Sequence, residues 1–169
     1  MKSDDISGIL DGTEIPFAYK MSYVLNFWRE PAYRHIEIQY GLKRPEIIVL
    51  IFLAYRDGIT AQSICNFSGH LKANISRAVV ALDKKGFIER RTEPSDNRRQ
   101  LIYLTEDGRK EYQRFIPLLA GREKQMMTAL SPAESKRLMQ ILGKLASHVP
   151  SWTGDNDALN SPEEASDRN

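Results

Sequence analysis

Four guanidinium groups fall within ten residues of this chain, at Arg90, Arg91, Arg98 and Arg99. A further cationic and amide set, Lys72, Asn74, Ser76 and Arg77, stands shortly before them. Arginine is favoured in the narrow, strongly negative minor groove of DNA. Asn and Arg make bidentate contacts with adenine and guanine edges, whereas Lys and Ser more often hold phosphates. The chemistry on offer is recognition of a polyanion. Taken singly, each of these side chains also fits a solvated surface, and Arg77 fits a structural ion pair. Asp96, two residues before Arg98, is a carboxylate among cations. It belongs there as the acceptor of an arginine hydrogen bond that fixes the tip and lowers the entropy lost on binding; by itself it reads as an Asx turn.

Other chemistry finds little to start from. The sequence has no phosphate-cradling glycine run, nucleophile elbow or HExxH helix, so no enzyme motif is present. One cysteine, Cys65, excludes an internal disulfide, and His35, His70 and His148 have no zinc-ligand spacing, so neither metal nor cofactor is expected. The longest apolar run, Ile47 to Tyr55, is under half the roughly 20 residues that span a bilayer, and no signal segment is evident, which predicts a cytoplasmic protein. At 169 residues, 41% hydrophobic and 27% charged, the chain suits one globular domain with short appendages. The net charge of +2 conceals an asymmetry, with residues 1–17 at −3, residues 148–169 at −4, and +9 between them. A basic body with acidic ends again points to a polyanionic partner.

The elements that must position these residues follow from periodicity and punctuation. A helix-friendly aromatic stretch runs from Ala18, with Tyr23, Phe27 and Trp28. Pro31 interrupts it as a kink or as the start of a new helix, and Tyr33, Ile36 and Tyr40 carry the stripe to Gly41. Pro45 opens an all-round apolar run that by period alone also fits a buried strand; Pro45 as a helix start, Gly58 as a stop and helices on either side favour a central buried helix. Thr60 caps a short helix ending at Ser68-Gly69; a second from Leu71, with Ile75, Val79 and Leu82 inward, stops at Gly86. Two short helices joined by a tight glycine turn make a helix-turn-helix. Phe87–Arg91 and Leu101–Leu104 read as strands joined by a polar loop, T-E-P-S-D-N-R-R-Q. Thr105 caps the next helix, with Tyr112, Phe115, Ile116 and Leu119 on one face and bends expected at Pro117 and Gly121. Ser131 to Glu134 form a capping box before Leu138, Ile141, Leu142 and Leu145. From Pro150 the composition predicts an acidic disordered tail.

Helix, turn, helix and basic hairpin is a winged-helix order, with the second helix in the major groove and the hairpin in the adjacent minor groove. The runs I-S-R-A-V-x-x-L (Ile75 to Leu82), K-G-F-I-E-R (Lys85 to Arg90), D-N-R (Asp96 to Arg98) and I-Y-L-T-E-D-G (Ile102 to Gly108) resemble the multiple-antibiotic-resistance regulator (MarR) family of bacterial transcription factors, from roughly Tyr23 to Leu145. The resemblance implies an obligate homodimer with intertwined terminal helices gripping a pseudo-palindromic operator. It places Asp96 and Arg98 as the wing pair and Lys72, Asn74, Ser76 and Arg77 on the recognition helix. Apolar stripes on the terminal helices, too exposed for one small lobe to cover, argue for the same twofold partner.

Such regulators commonly sense small anionic or phenolic molecules in a crevice beside the DNA-binding lobe. The residues expected there are Trp28, Arg29, Tyr33, Arg34, His35 and Tyr40, an aromatic wall with cations and an imidazole that would suit an aromatic carboxylate or its thioester. Dimer packing for the aromatics and solvation for the arginines is the plainer alternative. Some relatives sense oxidants through cysteine; Cys65 reads first as a buried structural thiol.

The expectation is therefore a mostly α (α+β) winged helix-turn-helix with a two-stranded wing and N- and C-terminal dimerisation helices. Its parts are an acidic N-terminal arm (1–17), N-terminal dimerisation helices (18–44), the DNA-binding lobe (45–108), C-terminal dimerisation helices (109–147) and an acidic tail (148–169). The expected DNA contacts are Lys72, Asn74, Ser76, Arg77, Arg90, Asp96, Arg98 and Arg99, in a repressor released from double-stranded DNA by a small effector, not an enzyme. The alternatives are a redox sensor through Cys65 and a winged helix used only for protein contacts.

Overall fold

A computed structural model describes Gly8 and residues 10–93 and 96–153, without the side chains of Asn97, Arg98 and Thr153. From Pro16 on, the described residues form helices and one hairpin in the order α1 (Pro16–Tyr40), α2 (Arg44–Tyr55), α3 (Ala61–Ser68), α4 (Lys72–Lys84), β1 (Ile88–Glu93), β2 (Asp96–Leu104), α5 (Glu106–Met127) and α6 (Pro132–Thr153). The chain divides into two compact units, Met1–Met126 and Met127–Asn169.

The core of the first unit grows around α2. That helix is apolar on every side because it is surrounded, and Ile47, Val49, Leu50 and Leu53 have no exposed surface. Ile36 of α1, Ile64 of α3, Ile75 and Leu82 of α4, Ile102 of β2 and Phe115 of α5 complete it. A charged group is buried against this core as well. Glu46 accepts from the backbone N–H of Lys43 at 2.6 Å and from Lys85 Nζ at 2.9 Å, while Lys85 Nζ also donates to the Gly41 carbonyl at 2.9 Å. The end of α4 is thereby tied to the turn between α1 and α2.

The helix-turn-helix is capped as its residue types require. The Thr60 hydroxyl accepts from the Ser63 N–H at 3.1 Å, and Gly69 closes α3 with φ of +66°, a conformation that Cβ disfavours. The hairpin is antiparallel, pairing Arg90 with Ile102 and Thr92 with Gln100, with a register irregularity between Thr92 and Glu93. A short bridge between Ile59 and Ile102 adds a third edge, and Asp57 Oδ1 accepts from the Leu104 N–H at 2.7 Å.

Several boundaries differ from those the sequence predicts. α1 starts at Pro16, inside the expected arm, and runs unbroken through Pro31. Most of the predicted polar loop is strand, because an exposed two-stranded ribbon pairs through its backbone and leaves polar side chains in water. Pro94 and Ser95 lie outside the described residues. α5 is one helix through Pro117 and Gly121. α6 contains Pro150 and continues to Thr153, so residues 148–153 are helical where the tail was expected; the tail from 154 and residues 1–7 of the arm lie outside the described residues.

The second unit holds α6. Its capping box is formed, the Ser131 N–H donating to Glu134 Oε2 at 2.8 Å and the Glu134 N–H to Ser131 Oγ at 3.3 Å. Hydrogen bonds from the Ser131 hydroxyl and then its backbone hold the Glu134 carboxyl below its ordinary range. The cap is thus complete above the ordinary range and weakens as pH falls through the lowered value. None of the described side chains of α6 is buried; Ile141 is 42% and Leu145 44% exposed.

Candidate nucleic-acid interface

The faces of α4 are divided between core and solvent. Ile75, Ala78, Val79 and Leu82 of α4 are buried, which turns Lys72, Ser76 and Arg77 to solvent and leaves Asn74 at the margin. Arg77 Nη2 donates to Asn74 Oδ1 at 2.7 Å, so the two side chains with bidentate capacity for bases are already held together.

The wing arginines have separate tasks. Arg90 donates through Nε at 2.9 Å and Nη2 at 2.6 Å to one oxygen of Asp83, the carboxylate near the end of α4. This fork ties the wing to α4. Arg91 pairs with Glu89 and lies over the Tyr103 ring, 4.4 Å from its centroid. The ring in turn lies against Gly58, where an added Cβ would come 3.0 Å from it and where φ is +69°. Arg99 Nε is 3.3 Å from Glu93 across the hairpin. Both Arg91 and Arg99 keep more than half of their side-chain surface exposed. Asp96 opens β2 opposite Glu93; the side chain of Arg98, and with it the expected wing pair, lies outside the described part of the chain.

Sequence reasoning missed Asp83, Tyr103 and Asp57 as the parts that aim the wing. The spacing of Asp83 and Arg90 carries no local signal, because a helix end and a strand meet only after the chain has turned at Gly86.

None of the three cavities described among these residues is lined by all six residues expected around an effector. Arg29 and Arg44 border a cavity of about 440 Å³ together with Ser68, His70, Leu71 and Asn74. Trp28 faces a different cleft of about 390 Å³ between α1 and α5, beside Phe27 and Arg122. The Tyr33 ring lies under the Arg44 guanidinium, 5.7 Å away, and burial raises its phenol above the ordinary value against the opposing pull of Arg44 and Arg29. Tyr40 stacks with Arg114 at 5.0 Å, and Arg34 and His35 are exposed. A larger cavity of about 610 Å³ adjoins α4, bordered by Lys43, Arg77, Ala81 and Lys85. Cys65 is 8% exposed within the core. Among the described residues, no group of His, Cys, Asp and Glu could hold a metal ion, and no helix is long and apolar enough to cross a membrane.

Comparison with known proteins places this geometry. The model of the MarR family matches residues 40–99, from the end of α1 into the wing. The transcriptional regulator HosA of Escherichia coli O111:H- is 25% identical over 104 residues, covering 62% of this chain and 77% of HosA. The transcriptional repressor MprA of Escherichia coli K12 is 33% identical over 91 residues, 54% of this chain and 52% of MprA. The crystal structure of CouR from Rhodococcus jostii RHA1, bound to p-coumaroyl-CoA, superimposes with a TM-score of 0.68 at 19% identity, over 77% of this chain and 91% of CouR.

Proposed function

We propose that this chain is a winged-helix transcriptional regulator of the MarR family, whose model matches residues 40–99, and that it is a homodimeric repressor that grips a pseudo-palindromic operator with two reading helices and two wings. One observation carries the reading: Lys72, Ser76 and Arg77 on the outer face of α4 share a lobe with the exposed wing cations Arg91 and Arg99, and the Asp83–Arg90 fork ties the two elements together. A wing used only for protein contacts would not need clustered, solvent-facing arginines. The relatives named above are regulators, and the repressor name of MprA supports the direction of control.

A partner copy accounts for surface that one chain leaves uncovered. Phe17, Val24 and Phe27 of α1 are 60%, 48% and 66% exposed, and α6 adds Ile141, Leu145 and Trp152. Soluble monomers rarely leave large apolar stripes open to water. Two lobes on one duplex also multiply phosphate contacts and make affinity steeply dependent on salt.

Selection from random-sequence DNA tests the assignment. The wild-type protein is expected to enrich an inverted repeat, with affinity falling steeply as salt rises. Arg77→Ala should cost about 1–3 kcal/mol and relax the preference at one base pair in each half-site, whereas Lys72→Ala should weaken all sequences alike and flatten the salt slope by about one. Enrichment of no sequence, with binding indifferent to salt, removes the reading.

The effector is proposed to be an anionic aromatic acid or its thioester, bound in the cavity bordered by Arg29, Arg44 and His70. Two guanidinium groups beside an imidazole suit a carboxylate or phosphate, and CouR, of the same fold, was crystallised with such a thioester. A ligand there touches α1, the start of α2 and the turn before α4, and would release DNA by favouring one lobe spacing over another. In a thermal-shift screen of aromatic acids and their thioesters, Arg44→Ala should abolish the stabilisation seen with wild type and His35→Ala should leave it intact. The reverse pattern would move the ligand to the outer face of α1.

A further inference from the structure

Pro31 sits in the middle of α1, where it has no N–H to give to the carbonyl of Phe27, four residues earlier, and where its ring crowds that oxygen. A helix left to itself ends or kinks at such a point. Here α1 continues to Tyr40, and donors arrive from α5 instead: Arg122 Nη2 donates to Phe27 O at 3.0 Å and Arg122 Nε to Trp28 O at 2.9 Å. The carbonyl that Pro31 deprives of its partner is therefore one of the two that Arg122 takes. The guanidinium suits the task because it is charged at every ordinary pH and presents its N–H groups in a rigid fork.

The two halves of α1 differ in what they touch. Before the proline, Phe17, Val24 and Phe27 are exposed. After it, Ala32 and Ile36 are buried in the core of the first unit and Tyr33 lies under Arg44 at the start of α2. Pro31 stands between the two halves, so the course of α1 at this point sets the angle between an uncovered apolar face and the lobe that carries the reading helix. We propose that Arg122 is a positioning residue that staples α1 across Pro31 and so fixes that angle. Its consequence at DNA rests on the regulator reading above; the staple itself does not.

A double-mutant cycle tests the staple without DNA. Arg122→Met should lower the melting temperature by roughly 2–4 °C, as expected for a loss near 1 kcal/mol in a chain of this size. Pro31→Ala returns an N–H to the Phe27 carbonyl, so in that background Arg122→Met should cost less than half as much. An equal loss in both backgrounds, or no loss in either, overturns the proposal, since Arg122 would then act by packing or charge alone. Should Arg122→Met not fold, Arg122→Lys, which keeps the charge and gives up the fork, is read in the same two backgrounds with the same criterion. For the consequence at DNA, random-sequence selection should give one half-site spacing for wild type and a broadened spacing for Arg122→Met, narrowed again by Pro31→Ala. Unchanged spacing with a positive thermal cycle leaves the staple standing and refutes its role in lobe placement. Failure of wild type to enrich any sequence refutes the regulator reading, and the thermal cycle then decides the staple alone.

Discussion

Replacing Ile141 and Leu145 together with glutamate should convert the protein to monomers in sedimentation and weaken operator binding by about 10²–10⁴-fold, the advantage that linking two binding modules confers without any new contact. The two side chains lie one helical turn apart on α6 and are 42% and 44% exposed in the single chain. Carboxylates there cost an isolated subunit little beyond a few tenths of a kcal/mol of mutual repulsion. Against a partner copy the same carboxylates would be taken out of water unpaired, which apolar interfaces do not accommodate. Circular dichroism on the same samples separates loss of assembly with the helices kept from loss of folding. A double variant that remains dimeric with full affinity would show that α6 is not the seam.

Gly108→Ala should destabilise the fold by about 3 kcal/mol or more, at the upper end for overpacking, and lower the melting temperature by roughly 6–12 °C. In a helix this substitution ordinarily gains about 1 kcal/mol. At Gly108 the added Cβ would stand 1.9 Å from the Phe87 carbonyl oxygen, 2.8 Å from its carbon and 2.9 Å from Leu104 Cδ1. That carbonyl cannot move freely, because it accepts from the Thr105 N–H at 3.1 Å at the start of α5, and the next residue, Ile88, begins the wing. Relief of the clash must displace the root of the hairpin, so DNA affinity should fall as well. Gly121→Ala is the control: nothing lies within 4 Å of its Cβ position, and the ordinary helical gain should appear. Equal stability of the two variants would mean that α5 and the wing are not packed as described.

That glycine shows how much was legible beforehand. The run I-Y-L-T-E-D-G identifies strand, cap and helix start from residue types alone, but nothing local says that the carbonyl of Phe87, on the far side of the hairpin, will press on the Gly108 Cα. The wing behaved likewise. Its arginines are visible as a cluster, yet Arg90 is joined to Asp83 while Arg91 lies on Tyr103, and both partners are supplied by neighbouring elements. The residues expected around an effector are close in sequence, but one helix turns Trp28 and Arg29 toward separate cavities, packs Tyr33 and Tyr40 against Arg44 and Arg114, and leaves Arg34 and His35 exposed.

What the chain order determined unaided were the properties that depend on near neighbours: helix caps at Thr60 and Ser131, the buried nature of α2, the apolar face of α4, the basic hairpin and the family resemblance they carry. Tertiary structure alone decided which arginine joins the wing to α4 and which ones face solvent, what meets the Phe27 carbonyl ahead of Pro31, and where cavities open. Periodicity and capping act over one or two helical turns, whereas a hydrogen bond such as that from Arg122 to Phe27 joins groups that only the folded chain brings within 3.0 Å.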